Sequence, residues 1–438
     1  MMYRIVFVLG LLVSMVATAQ VINAPQLDAY FKVLAENDKF MGNVLISANG
    51  KNIYQYQAGK ADISTQARLT DSSRFRIGSV SKTYTAVLIL KAVEEKKLSL
   101  EQPIDKYFPN LVNARKITIR QLLNHHSGIK NFTNADDFGE WTMQARTGDE
   151  LLARIAAGGS DFEPGTKGEY SNSNYVLLSL VLQQLYQKPY DDILKEKIIM
   201  PLGLKNTGYG PAAAAGTFNA NGYIYKTGWE LKNLTPLSIP LGAGAIVTTA
   251  ADLSVFIQAL FNGRIINAQS LEAMMTETGG YGLGLFKQTI HGATAYTHSG
   301  VIDGFYSFFY YFPEAKLVYV FTANGRNYDL AKVNETVFKA IFQQPFDIPS
   351  FNAYKVTNAM LKVYEGEYTS EQAPLVITIS SKDDQLLAHP VGQQVFTMEA
   401  VSAHHFIHEA TGVSLEFKPA EKQMILKQGS QTLLFTRK

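Results

Sequence analysis

The sequence predicts an α+β protein in which a large domain of mixed helices and strands precedes a small antiparallel β domain, either a barrel or a meander. Strand-like patterns lie near both ends of residues 20–345, and helical patterns occupy the middle of that range. After residue 354 the chain consists mainly of short strand-like runs separated by turn signals. We therefore expect distant ends of the larger domain to share one sheet.

The first 19 residues predict a signal peptide. Arg4 supplies a short positive region, residues 5–16 form a 12-residue apolar core, and residues 17–19 are a small-residue cleavage site. Twelve apolar residues are too few for a bilayer span, which needs about 20; the alternative is an anchor that is not cleaved. We expect cleavage after Ala19, an exported protein that is periplasmic or secreted, and no stable membrane anchor.

Composition excludes several classes of site. The 438-residue chain has no cysteine, which rules out disulfides, cysteine nucleophiles and thiolate zinc sites. Its formal charge is only +2 and its basic residues are scattered, so we expect no nucleic-acid partner. His404, His405 and His408 could bind a metal, but the alternation around them predicts surface and turn positions. We expect no metal and no cofactor.

Two prolines, Pro345 and Pro349, mark a domain boundary because they follow a helical run and precede a region of different pattern. We predict a larger domain over residues 20–345, a linker over 346–354 and a β-rich domain over 355–438.

Periodicity and turn residues predict individual elements in each domain. Asn49-Gly50 is a strong hairpin signal between two strand-like runs. In the larger domain the predicted strands lie at 43–47, 53–56, 306–312 and 317–321, and helices follow Ser79 and cover 175–185 and 251–261. In the smaller domain the predicted strands lie at 375–379, 385–388, 405–408, 414–417 and 432–435.

Ser79 and Lys82 lie three residues apart at the start of a largely apolar helical run. At this spacing a hydroxyl and an amine share one helix face, where a desolvated, neutral amine can take the proton of the serine. A second Ser-x-x-Lys pair, Ser127 and Lys130, has a weaker helical context because Gly128 follows the serine. We predict Ser79 as the nucleophile.

Tyr170 and Asn172 form the only Tyr-x-Asn in the chain. They stand between a turn at residues 163–166 and a helical segment, so a phenol and an amide can point at one spot. The alternative is a pair that makes only turn and cap hydrogen bonds.

His298 and Gly300 follow a strand-like run and form a third candidate motif. A histidine can donate a hydrogen bond or titrate near neutral pH, and Gly300 lets the backbone approach a ligand closely. A histidine bonded to backbone is the alternative.

The order Ser79-x-x-Lys82, Tyr170-x-Asn172, His298-x-Gly300 resembles the active-site motifs of the serine β-lactamase and penicillin-binding hydrolase family. Its members include class C β-lactamases, D-alanyl-D-alanine carboxypeptidases, D-aminopeptidases and esterase relatives. The resemblance covers nearly all of residues 25–345, and the C-terminal part resembles the small lipocalin-like β domain, a barrel or meander, that many members carry. Supporting segments lie at 122–129, 201–207, 242–253 and 281–284.

The resemblance implies a catalytic role for three side chains. Ser79 attacks an acyl carbonyl and is acylated. Lys82 and Tyr170 move its proton and protonate the leaving group, and either of them can be the base.

The same resemblance implies a role in substrate binding for Asn172, which orients the substrate amide and Lys82, and for His298 and Gly300. Backbone amides of Ser79 and Val301 would form the oxyanion hole. His298 stands where classical β-lactamases have a lysine, which disfavours efficient β-lactam hydrolysis, because histidine is cationic only when protonated.

We therefore predict an exported serine hydrolase that acts through an acyl-enzyme on a small-molecule or peptide substrate: an ester, a D-amino acid amide or peptide, or a cell-wall-type peptide. The alternatives are a class C-like β-lactamase and a penicillin-recognising binding protein with little or no turnover.

Overall fold

A computed structural model describes residues 22–210, 219–351 and 354–438. The predicted signal peptide lies outside the described residues. Within them, no helix has the length and apolar character to span a bilayer.

The α-helices of the described ranges are α1 (Ala24–Glu36), α2 (Ser81–Glu94), α3 (Ile119–Leu123), α4 (Phe138–Trp141), α5 (Gly148–Gly158), α6 (Asn172–Tyr186), α7 (Tyr190–Leu194), α8 (Met200–Leu202), α9 (Ala250–Phe261), α10 (Ala268–Met275), α11 (Leu330–Ile341) and α12 (Asn358–Leu361). The strands of the larger domain are β1 (Phe40–Ala48), β2 (Lys51–Ala58), β3 (Lys60–Asp62), β4 (Ala67–Arg68), β5 (Phe75–Arg76), β6 (Gly208–Tyr209), β7 (Tyr223–Tyr225), β8 (Trp229–Leu231), β9 (Ile246–Thr248), β10 (Phe286–Ile290), β11 (Ala293–Ile302), β12 (Phe305–Phe312) and β13 (Leu317–Arg326). The C-terminal strands are β14 (Gly366–Thr369), β15 (Val376–Lys382), β16 (Gln385–Pro390), β17 (Phe396–Ala400), β18 (His405–His408), β19 (Val413–Lys418), β20 (Gln423–Gln428) and β21 (Gln431–Arg437).

The central sheet is antiparallel and has the strand order β10-β11-β12-β13-β1-β2. β1 pairs with β13, with Val44 opposite Phe321, so segments from the two ends of the larger domain meet inside one sheet. The two faces of β1 contribute to different apolar clusters: Val44 packs with residues of α1 and α11, and Leu45 packs with residues of α2, α6 and α9. This arrangement confirms the predicted α+β class.

The hairpin between β1 and β2 has the predicted turn. Asn49 and Gly50 have φ values of 51° and 82°, and two successive residues at positive φ are what a type I′ turn requires. The turn places Ala48 opposite Lys51 and begins the pairing of the two strands.

A 3₁₀ turn, Gly78–Val80, leads directly into α2. The turn is fixed from both sides, because the Ile77 N–H donates to the Ile246 carbonyl at 3.0 Å and the Ser307 hydroxyl donates to the Ile77 carbonyl at 2.7 Å. The helix α2 is buried over most of its length, in the middle of the larger apolar cluster. Ser79 is thus held at a rigid point, just before the helix and not inside it.

The C-terminal domain is a closed antiparallel barrel in which β14 to β21 follow in chain order and β14 pairs with β21. Large side chains fill its interior, among them Tyr364, Tyr368, Phe406, Phe417 and Phe435. The barrel confirms the antiparallel β prediction, and it contains three strands that the sequence pattern missed: β14, β17 and β20. Each contains only two adjacent branched or aromatic residues, so pairing with neighbouring strands decides their conformation.

The barrel is fixed to the end of the central sheet where β1 begins and β13 ends. The buried Lys39, just before β1, pairs with Glu399 at 2.6 Å. Arg326, the last residue of β13, donates to the carbonyl of Ala410 at 2.6 Å.

Candidate active site

Three elements bring the sequence-predicted residues together: the turn before α2, the start of α6 and the second half of β11. Lys82 Nζ lies 3.0 Å from Ser79 Oγ and 2.8 Å from Asn172 Oδ1. The phenol of Tyr170 interacts with the Ser79 side chain, which opposes the burial-induced rise of the Tyr170 pKa, and the Tyr170 ring centroid lies 4.9 Å from Lys82 Nζ. The side chains of the first two motifs therefore form one connected group.

The hydrogen bonds of Lys82 fit a neutral amine. The side chain is fully buried, and its nitrogen also lies 2.9 Å from the carbonyl oxygen of Ala243. That oxygen and Asn172 Oδ1 can only accept, so they use both N–H bonds of a neutral amine. The lone pair then faces the Ser79 hydroxyl. Burial lowers the Lys82 pKa well below its usual value, which favours the same state.

The amide of Asn172 is oriented by residues that the sequence reasoning did not single out. Its Nδ2 donates to the Thr133 hydroxyl at 3.1 Å, and its backbone N–H donates to Asn131 Oδ1 at 3.0 Å. With Nδ2 used in this way, Oδ1 faces Lys82. The chain provides no local signal for this contact, because Asn131 lies 41 residues from Asn172.

Tyr170 is a protonated phenol at neutral pH. Burial raises its pKa above the ordinary value, and the interaction with Ser79 opposes that shift only in part. A buried phenol beside a serine hydroxyl can donate a proton to a leaving group but is a poor resting base.

The third motif lies inside β11, which continues to Ile302, whereas the sequence pattern placed the strand end before His298. A side chain at Gly300 would overlap the carbonyl oxygen of Ile77 and lie 2.7 Å from the Ser79 nitrogen. A side chain at Gly78, where φ is +49°, would lie 2.9 Å from the Val301 nitrogen. The two glycines thus allow the backbone segments that carry the Ser79 and Val301 amides to lie close together.

His298 is buried, and its Nδ1 lies 2.8 Å from the carbonyl oxygen of Ser299. Burial lowers the His298 pKa to about 3. The imidazole is therefore neutral from pH 5 upward. The possibility raised from sequence, a histidine that titrates near neutral pH, is wrong for this site because burial disfavours the charged ring.

We expect carboxylate-bearing and neutral substrates to show the same shape of pH–rate profile between about pH 5 and 8. A depressed histidine pKa means that no imidazolium is lost as pH rises through about 6.5, where an unperturbed histidine would titrate. The measurement is kcat/KM against pH for a carboxylate-bearing D-peptide and a neutral ester. A decline near pH 6.5 that occurs with the peptide alone and disappears in His298→Gln would contradict this.

The second Ser-x-x-Lys pair is structural at its serine. Ser127 is buried and donates to Asn174 Oδ1 at 2.7 Å, and it accepts from the N–H of Ile129 at 3.1 Å. Lys130 is exposed. The pair does not share one helix face, because residues 124–130 are irregular.

Comparisons with known proteins agree with this arrangement. A protein-family model described as Beta-lactamase matches residues 27–340. Penicillin-binding protein 4* of Bacillus subtilis (strain 168) is 26% identical over 441 residues, covering 92% of this chain and 97% of that protein. Teichoic acid D-alanine hydrolase of Staphylococcus aureus (strain MRSA252) is 26% identical over 245 residues, covering 56% of this chain and 60% of that protein. Among solved structures, D-amino acid amidase from Ochrobactrum anthropi SV3, complexed with L-phenylalanine, has a TM-score of 0.64 at 27% identity, covering 72% of this chain and 98% of that chain.

Proposed function

Because the chain belongs to the β-lactamase family and is a serine hydrolase, we propose that it is an exported enzyme that cleaves esters or amides of D-amino acids through an acyl-enzyme on Ser79. The observation that carries the proposal is the set of contacts around Lys82: its buried amine lies 3.0 Å from the Ser79 hydroxyl and within hydrogen-bond distance of two oxygens that can only accept.

In the proposed acylation step, Lys82 Nζ takes the proton of Ser79 as Oγ bonds to the substrate carbonyl carbon. The carbonyl oxygen becomes an oxyanion and receives hydrogen bonds from the backbone N–H groups of Ser79 and Val301. Removing one such donor typically costs about a hundred- to a thousand-fold in rate. The phenol of Tyr170 then donates its proton to the leaving oxygen or nitrogen, and the proton held by Lys82 restores the phenol.

Deacylation reverses the roles with water as the nucleophile. A water molecule attacks the acyl carbonyl, loses a proton to the Lys82–Tyr170 pair, and Ser79 Oγ leaves with a proton from the same pair. The products are the free acid and the alcohol or amine, so no external co-reactant is needed.

The third motif supports substrates whose binding does not require a positive charge at position 298. A neutral, buried His298 provides no charge to pair with a carboxylate. We propose D-aminoacyl amides and esters as substrates because two relatives are named as a D-amino acid amidase and a teichoic acid D-alanine hydrolase. The second candidate is a penicillin-binding protein with little turnover, which the name of the Bacillus subtilis relative favours.

A substrate panel tests the proposal. We expect turnover of D-phenylalanine amide and of a D-alanyl ester, slower cleavage of L-phenylalanine amide, and little turnover of a β-lactam. Mass spectrometry after mixing with the β-lactam should show whether an adduct persists on Ser79. A protein that hydrolyses the β-lactam rapidly and ignores every D-aminoacyl compound would overturn the proposed substrate class.

Fractionation of cells that produce the protein tests export. The apolar run at residues 5–16 and the small residues before Gln20 support cleavage after Ala19. We expect activity in the periplasmic or secreted fraction and a mature protein that begins at Gln20. Activity confined to the cytoplasm, on a chain that retains residues 1–19, would contradict export.

A further inference from the structure

We infer that His125 is a positioning residue that holds the phenol of Tyr170 against Ser79. The inference rests on the proposed function, in which Tyr170 protonates the leaving group. His125 belongs to the irregular segment that follows α3, outside the three active-site motifs but within the supporting segment 122–129.

His125 makes hydrogen bonds on both sides of Tyr170. The backbone N–H of Glu169 donates to the carbonyl oxygen of His125 at 2.9 Å. The backbone N–H of Ser171 donates to Nδ1 of the His125 ring at 3.2 Å. The residues immediately before and after Tyr170 are therefore bonded to one residue, which fixes the backbone that carries the phenol.

The ring of His125 also packs directly on the phenol. Its centroid lies 4.5 Å from that of the Tyr170 ring, with an interplanar angle of 35°. The rings of Tyr175 and Tyr281 lie 5.3 and 5.2 Å from the same imidazole. His125 is buried in this aromatic group. The phenol therefore cannot move toward His125 without displacing a packed ring.

The hydrogen bonds define the protonation state of the imidazole. Besides the Ser171 N–H, the Asn174 Nδ2 group lies 3.3 Å from Nδ1. An Nδ1 that accepts carries no proton, so the ring is the neutral form with its hydrogen on Nε2. Burial lowers the His125 pKa well below its usual value and maintains this form.

The backbone of His125 is strained in a way that serves these contacts. Its φ is +61°, in the left-handed region that residues with side chains seldom adopt. Such conformations persist where the surroundings determine them, and they cluster at functional sites. From this conformation the carbonyl and the ring nitrogen of one residue both reach segment 169–171.

Two substitutions of His125 test the hydrogen bond to its Nδ1 without changing the left-handed backbone conformation. Glycine and asparagine both accept a positive φ, but only asparagine offers an acceptor near the position of Nδ1. We expect His125→Gly to lower kcat by about a hundred-fold with KM changed by less than about three-fold, the pattern of a lost transition-state interaction. His125→Asn should recover kcat to within about ten-fold of the unsubstituted protein.

The matched control is the neighbouring histidine. His126 uses its Nδ1 to contact the Asn124 carbonyl at 2.7 Å, so His126→Asn should keep kcat within about three-fold. Thermal unfolding midpoints of all three variants identify losses that arise from unfolding. The inference is overturned if His125→Gly keeps kcat, if it raises KM alone, or if His125→Asn is as impaired as His125→Gly.

A covalent probe makes failure of the inference distinguishable from failure of the proposed function. The rate at which a fluorophosphonate labels Ser79 does not depend on the natural substrate. If Ser79 is labelled but no D-aminoacyl compound is cleaved, the proposed substrate class is wrong, and the rates at which the two His125 variants cleave a simple alkyl ester, whose alkoxide must be protonated as it leaves, still decide the inference. If Ser79 of the unsubstituted protein is not labelled, both are overturned.

Discussion

Ser79→Ala should lose acyl transfer almost completely, with kcat lowered by about a million-fold, as removal of the nucleophile does in other serine hydrolases. The physical reason is that the variant has no oxygen to form the acyl-enzyme. It also has no serine hydroxyl proton for Lys82 to accept. The measurement is hydrolysis of a D-alanyl ester, with intact-protein mass spectrometry to detect the acyl adduct.

The serine of the second Ser-x-x-Lys pair is the matched control. Ser127→Ala removes a buried hydrogen bond to Asn174, which should lower the free energy of unfolding by about 1–3 kcal/mol but leave the adduct on Ser79. If Ser79→Ala retained activity, or if the adduct mapped to Ser127, the assignment of the nucleophile would be wrong.

Lys82→Ala and Tyr170→Phe should each lower kcat by about a hundred-fold or more, the size of effect expected for an acid–base residue. The double variant should be little worse than the poorer single variant, because both groups serve one proton transfer. Burial lowers the Lys82 pKa, so kcat/KM should rise with pH on a limb below the usual lysine range. Lys82→Ala should lack that limb.

Lys130→Ala provides the control, because Lys130 is exposed. It should keep both the rate and the pH profile. Losses below about ten-fold in Lys82→Ala or Tyr170→Phe, compared with the hundred-fold of a true acid–base residue, would mean that the two groups do not form the proposed relay.

The sequence alone was enough to predict the parts of the molecule that depend on nearby residues. Asn49-Gly50 predicts its hairpin because the turn needs two residues at positive φ. The spacing of Ser79 and Lys82 predicts their proximity because residues three apart share a helix face, and the 3₁₀ turn that contains Ser79 continues directly into α2. These features need no knowledge of the rest of the chain.

Other features arise only from tertiary contacts. The third partner of Lys82, the Ala243 carbonyl, comes from a segment 161 residues away. The protonation state of His298 depends on burial, which a tripeptide does not reveal. Strand β20 pairs with β19 and β21 although its own sequence, Gln-Met-Ile-Leu-Lys-Gln, begins and ends with polar residues.

The bond between Ser307 and Ile77 joins residues 230 positions apart, and this separation has a consequence for biosynthesis. During translation, Ser79 is synthesised long before β11, β12 and β13. Until those strands pair with β1, the turn before α2 lacks both its Ser307 hydrogen bond and the nearby Val301 amide. Long-range antiparallel pairing of this kind is slow, because distant segments must meet before any contact stabilises them. An incomplete or still unfolded chain would therefore carry Ser79 without the contacts that hold it in place, and we expect hydrolysis to begin only once the whole sheet has formed.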